Sequence, residues 1–160
     1  MPRSHGPYYQ TQETNRYAGG ICRHYSEIEQ EVWRSRIFRN LVRLDTAVVS
    51  RALSHFDAWN VDIHMFRIES EDDKAAPPTP EGVHRDGNAA FAVHMVNYQC
   101  RGGVTTLFRG TMAVQSKAMI DRAETLFVDD RRMMHDVSEI RAADGQPKGV
   151  RDVMIVDFYS

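Results

Sequence analysis

From Ala58 to the end of the chain, apolar residues recur at every second position in short runs, and this pattern most narrows what the chain can become. Val61, Ile63 and Met65 alternate with Asp62, His64 and Phe66 as far as Ile68. Within residues 89–98, Phe91, Val93 and Met95 alternate with Ala92, His94 and Val96. Residues 104–108, 112–115, 125–128, 133–140 and 152–159 add shorter runs, set apart by turn residues such as Gly102-Gly103. A period of two belongs to a pleated strand with one face buried. Many short strands at this spacing predict a sandwich, a jelly roll or a small barrel.

Ahead of the strands the pattern is different. Residues 1–24 carry Tyr8, Tyr9, Tyr17, Gly19 and Gly20 without a clear period and read as an irregular arm. Ser26 followed by Glu29 has the form of a capping box opening a helix. Ile28, Val32, Ile37, Leu41, Leu44 and Val48 then recur at three- to five-residue steps, the spacing of one helical face. No Gly or Pro interrupts residues 26–56, so the stretch predicts one long helix or two broken near 39–44. Arg34, Arg36, Arg39, Arg43 and Arg51 read as its wet face. Helices first and strands afterwards is the order of an α+β fold rather than of alternating βαβ units. At 160 residues the chain is expected to be one domain, with 1–57 supplying arm and helices and 58–160 the β core.

Composition removes several classes of function. A formal charge of -2 gives no overall basic character, so neither nucleic acid nor an anionic membrane surface is an expected partner. Residues 1–10 are polar, without the apolar stretch of a secretory signal, and no run approaches the roughly 20 apolar residues of a membrane span. Cys22 and Cys100 are too few for a disulfide framework and fit a reducing compartment. The expectation is a cytoplasmic protein acting on a small molecule, with assembly as a homodimer left open.

The chemistry concentrates in residues 77–87, a proline-rich lead-in to His84-Arg85-Asp86-Gly87. With 7 His in 160 residues a His-x-Asp pair arises readily by chance, and a second one, His55-Phe56-Asp57, is present. That second pair closes a helical pattern, where i and i+2 diverge and cannot chelate one ion. The pair at 84 and 86 lies between a proline-fixed extended segment and a strand, where i and i+2 share a side. Two imidazoles and one carboxylate on one face of an octahedron is the ligand set of non-haem Fe(II) oxygenases. The third ligand has three candidates, His64, His94 and His135. Position favours His135, on a late run, far enough along for most of a barrel to form between the ligands. Arg151 opens the last strand after a turn-rich loop at 141–149, so the two flanking strands are expected to pair as a hairpin with His135 beside Arg151. A buried guanidinium suits two-point contact with a carboxylate. The surface alternative pairs Arg151 with Asp152 or Asp157.

Residues 78–87, Gly102-Gly103, residues 130–137 and residues 149–158, taken in order, resemble the 2-oxoglutarate/Fe(II) dioxygenase family that includes the bacterial isoleucine and related free-amino-acid hydroxylases. The run 61–68 resembles that family's strand ahead of the motif, and the likeness covers residues 58–160 best. The resemblance implies a double-stranded β-helix (jelly-roll, cupin-like) with helices packed outside. It implies Fe(II) held by His84, Asp86 and His135, and 2-oxoglutarate held through its distal carboxylate by Arg151. It further implies O2 as oxidant, ascorbate as a support in vitro, and hydroxylation of an unactivated C–H bond of a free L-amino acid with release of succinate and CO2. The same chemistry on a carrier-tethered or peptide substrate, and a non-catalytic metal-binding jelly roll, are the competing readings. Substrate candidates are His64, Arg67, His94 and Asn97 on flanking strands, and Arg16 and Tyr17 in the arm.

Overall fold

The computed structural model describes residues 6–9, 11–13, 19–54, 58–71 and 74–159. Strands β1 (Asn60–Glu71), β2 (Ala90–Gln99), β6 (Thr125–Val128) and β9 (Lys148–Tyr159) form a four-stranded sheet in the order β1-β9-β2-β6. A three-stranded sheet orders β5 (Met112–Ala118), β4 (Val104–Arg109) and β7 (Met134–Val137) as β5-β4-β7, and β3 (Arg101–Gly102) pairs with β8 (Ile140–Arg141). Every pairing is antiparallel. Helices α1 (Gln30–Arg34) and α2 (Arg36–Ala52) precede the strands. The whole is an α+β jelly roll.

Strand β9 is the axis. It pairs with β1 along its full length and with β2 from Val150 to Phe158, so both its edges are taken and both its faces are covered. Met154, Val156 and Phe158 look outward and pack with Ala90 and Ala92 of β2 under Phe38, Val49 and Leu53. The two alanines let the helix come close to the sheet, and each large side chain buried there contributes roughly 1.5–3 kcal/mol. The opposite parity of β9, namely Arg151, Val153, Ile155 and Asp157, looks inward to a cavity between the two larger sheets.

Three expectations change. The helical break falls at Ser35, whose hydroxyl caps α2 by accepting from Phe38 N, while Glu29 at the start of α1 makes no side-chain cap. The buried stripe of α2 is Phe38, Asp45 and Val49, with Leu41 and Val42 packed beside it. Ile37 is 82% exposed, and Leu44 and Val48 are exposed too. Asp45, 0% exposed, occupies a place where an apolar residue would be expected because His94 of β2 hydrogen-bonds it from the sheet. The third change concerns β7 and β9, which do not form a hairpin. With both edges of β9 occupied, β7 pairs with β4, and the run 133–140 breaks at Ser138 and Glu139 so that β8 can reach β3.

Candidate metal centre

Residues 77–87 run along the end of β7, and the extended lead-in expected there is interrupted by a turn in which Gly82 N, at φ 74°, donates to the Thr79 carbonyl at 3.0 Å. Ala76 bridges Ile140, and His84 and His135 exchange backbone hydrogen bonds at 3.0 and 2.9 Å. Thr79 Oγ1 donates to Asp136 Oδ1 at 2.7 Å and accepts from Val137 N at 2.9 Å, a second staple between the same two segments. Extended backbone alternates its side chains: Val83 and Arg85 are exposed, while His84 and Asp86 turn inward. Gly87, at φ 85°, then bends the chain back toward β2 in a conformation that favours glycine. The carboxylate of Asp130 accepts from the backbone N–H of Asp86, Gly87 and Asn88 at 3.3, 2.8 and 3.0 Å, fixing the bend.

These contacts bring three donors together. His84 Nε2 is 3.4 Å from Asp86 Oδ1, and His135 Nε2 is 3.6 Å from Asp86 Oδ2. One donor atom from each of the three residues lies within 4.8 Å of the others. His84 Nδ1 lies 2.7 Å from the Gly82 carbonyl, to which it can only donate, and this sets the ring so that Nε2 faces Asp86. His135 Nε2 points to the same carboxylate, and its Nδ1 is buried without a hydrogen-bond partner among the described residues. The electrostatics fit a cation. Burial works against charge on His84, but Asp86, the Gly82 carbonyl and Glu81 outweigh it and hold the imidazole at about 9. Burial drives His135 down to about 4, keeping it a neutral lone-pair donor. A divalent ion between two imidazoles and one carboxylate satisfies all three at once, and the donor set suits Fe(II).

Arg151 lies on the same cavity wall, 3% exposed, with no ion pair among the described residues and with a buried Nε that lacks a hydrogen-bond partner. Burial pushes its guanidinium down from the ordinary range. Gly103, at φ 65°, leaves the room it needs: a Cβ there would sit 3.2 Å from Arg151 Cδ. Asp152 is committed elsewhere, to Arg67 at 2.8 and 2.9 Å, so the surface pairing of Arg151 does not form. The cavity holds about 350 Å³, with Phe91, Val93, Val153 and Ile155 in its apolar wall.

Of the substrate candidates, His64 lines the cavity. Arg67 borders it, but its parity on β1 is opposite to that of His64 and its guanidinium forks onto Asp152. His94 faces α2 and Asn97 reaches Asp152 at 3.4 Å, so neither comes to the cavity. Arg16 and Tyr17, like the pair His55 and Asp57, lie outside the described residues. Three cavity residues were not signalled by the motif: Tyr8, Arg23 and Asp157. Tyr8 and Arg23 bridge one another in the arm, with the guanidinium 4.7 Å over the ring, and Tyr8 meets the His64 ring edge-on at 4.8 Å. The cue for Asp157 was available in its even spacing from Arg151, which puts both on one face of a strand.

A family model described as 2OG-Fe dioxygenase matches residues 2–157. A 3(1)-hydroxy-L-isoleucine 4-dioxygenase of Pantoea ananatis (strain AJ13355) is 24% identical over 156 residues, which is 95% of this chain and 63% of that protein. A crystal structure of a bsmA homolog from Methylobium petroleophilum PM1 superposes with a TM-score of 0.79 at 24% identity, covering 99% of this chain and 64% of that one. The crystal structure of IDO from Bacillus thuringiensis gives 0.75 at 18% identity, covering 84% and 61%. The chain thus spans a little under two thirds of the length of these relatives. No helix among the described residues is long and apolar enough to cross a membrane.

Proposed function

This chain belongs to the 2OG-Fe dioxygenase family, and from that premise we propose that it hydroxylates an unactivated C–H bond of a free L-amino acid, with release of succinate and CO2. The observation that carries the reading is the convergence of His84, Asp86 and His135 on the wall of a cavity that Arg151 also lines. When bound, Fe(II) with 2-oxoglutarate and O2 supplies the oxidation: the keto acid is decarboxylated to succinate and one oxygen atom goes to a substrate carbon.

The protein's own residues bind, aim and exclude water. His84, Asp86 and His135 would occupy three positions on the metal and leave three for the keto acid and O2. The guanidinium of Arg151 offers the planar fork that a distal carboxylate meets at two points, and that contact relieves the cost of keeping the cation buried. Phe91, Val93, Val153 and Ile155 keep the space between metal and guanidinium dry. Because Asp86 supplies a carboxylate ligand, no ligand position is freed for a halide, which favours hydroxylation over halogenation. A free amino acid as substrate is supported by the activity for which the Pantoea relative is named and by the cavity volume of about 350 Å³.

The test is incubation of the purified protein with Fe(II), 2-oxoglutarate, ascorbate and a mixture of L-amino acids, read by mass spectrometry. The expected result is one species gaining one oxygen atom, with succinate formed in step and both lost in His84→Ala. No substrate-stimulated succinate from any amino acid would overturn the proposal.

A further inference from the structure

The most deeply buried carboxylate of the cavity has no task in the reading above. Iron and Arg151 together balance Asp86 and the two carboxylates of 2-oxoglutarate, with His84 and His135 neutral as ligands. Asp157 is left over. It is 4% exposed, on the inward face of β9, six residues and so roughly 20 Å of strand from Arg151. Its Oδ1 accepts from Asn88 Nδ2 at 2.6 Å, and its Oδ2 has His64 Nε2 at 3.4 Å. No cationic side chain of the described residues pairs with it; His64 is itself pushed by burial toward the neutral form. The charges that bear on Asp157 are Asp86, Asp62 and Asp130, all negative. A buried carboxylate that meets no cation is costly to ionise, and it either keeps a proton or waits for a cation to arrive. The metal can serve Asp86, which leaves Asp157 for a cation carried in by the ligand.

We propose that Asp157, with His64 and Tyr8 beside it, receives the α-ammonium group of the substrate, so that the site selects molecules with a free α-amine and rejects N-acylated ones. The inference rests on the amino-acid reading above and names the residue that reads the amine. The inward face of β9 then carries the two opposite charges of the reaction partners at its two ends: Arg151 for the carboxylate of the co-substrate, Asp157 for the ammonium of the substrate. Val153 and Ile155 lie between them. Tyr8 closes the ammonium end from the arm, its ring against His64.

The experiment is calorimetric titration of protein loaded with Mn(II) and N-oxalylglycine, an unreactive isostere of 2-oxoglutarate, against a panel of the proteinogenic L-amino acids. The tightest binder is then compared with its N-acetyl derivative, on wild type and on Asp157→Asn. The isosteric change removes the charge and keeps an acceptor for Asn88. The expected result is a loss of roughly 10–100-fold in amino-acid affinity for Asp157→Asn, the size of a charged hydrogen bond. N-oxalylglycine affinity and the rise in Tm on adding Mn(II) should be unchanged, and the N-acetyl derivative should bind neither protein. Equal amino-acid affinity in Asp157→Asn, or an N-acetyl derivative that binds wild type as well as its parent does, overturns the assignment and leaves the hydroxylase reading standing. Parallel loss of N-oxalylglycine binding also overturns it, because Asp157 would then be shaping the whole cavity. If no amino acid binds the loaded wild type, the free-amino-acid reading fails and this inference falls with it.

Discussion

Two groupings of histidine and carboxylate lie on opposite sides of the four-stranded sheet, and they do opposite jobs. On the outer side, under α2, His94 contacts Thr125 Oγ1 through Nδ1 and Asp45 Oδ2 through Nε2, each at 2.8 Å. Both ring nitrogens have partners there, and the cluster ties a helix to a sheet. On the inner side, His84 and His135 aim their Nε2 atoms at one carboxylate, that of Asp86, across a gap that opens on the cavity. The same two residue types make a latch where every donor meets an acceptor inside the protein. They make a ligand set where two imidazole nitrogens and one carboxylate converge on a common point. What separates the cases is strand parity: Val93 looks into the cavity, so His94 beside it must look out.

Removing one member from each side is the strongest way to break this comparison. Asp86→Ala is expected to weaken Mn(II) binding by at least about 100-fold and to abolish the rise in Tm that the metal produces, because two imidazoles alone hold the ion poorly. The apo protein should unfold at nearly the same urea concentration as wild type. His94→Ala is expected to do the reverse. It should cost about 2–4 kcal/mol in urea unfolding by leaving Asp45 buried without its partner, yet keep the Mn(II)-dependent rise in Tm. A double Asp45→Leu/His94→Leu variant should recover more than half of that loss, since replacing both partners with apolar groups avoids the orphaned charge. If His94→Ala lost metal binding while keeping its stability, the latch and the ligand set would have been assigned the wrong way round.

A smaller effect sharpens the picture within the inner side. Arg151→Lys keeps the charge but loses the planar fork, and is expected to raise the KM for 2-oxoglutarate by about 10-fold with Mn(II) affinity unchanged. An equal loss of metal affinity would mean that Arg151 organises the histidines rather than the co-substrate.

The strands were legible because a period of two survives single exceptions. Six of the runs read from residues 61 to 159 fall inside β1, β2, β4, β5, β6 and β9. The shared side of His84 and Asp86 was legible from their spacing of two, but the turn at 79–82 that separates them from the prolines was not. The face of α2 was not. Apolar residues lie on two stripes of that helix, and the buried one contains Asp45, whose partner His94 is 49 residues away on a strand. A buried hydrogen bond between Asp45 and His94 breaks the rule that apolar positions mark the core, and nothing local signals it. The pairing of β7 escaped for a related reason: which edge a strand takes depends on whether other strands have already filled the alternatives, as β1 and β2 fill those of β9. Tyr8, Arg23 and Asp157 belong to the cavity through contacts between distant segments, and alternation gives parity but not the neighbour across the space.

The gentlest prediction follows from the same contrast between satisfied and waiting groups, and concerns stability rather than binding. Burial, and then the nearby Asp86, Asp62 and Asp130, raise the carboxyl of Asp157 well above its ordinary range. A folded-state pKa above the unfolded one means that the native chain holds a proton the unfolded chain releases. The native state therefore loses stability as pH rises from the ordinary carboxylate range, about 3.9, through the raised value. Asp157→Asn removes that loss. Without metal or substrate, the variant is expected to melt above wild type at pH 8, with the gap closing as pH is lowered toward 5, in thermal scans across that range. The order should reverse once Mn(II), N-oxalylglycine and a bound amino acid are present, because ligand that binds only the native state raises stability in proportion to how tightly it is held, and the variant holds the amine less well. A variant less stable than wild type at every pH would mean that Asp157 already has a cation in the free protein, with His64 charged against it. It would then be a latch like Asp45 and not a receptor.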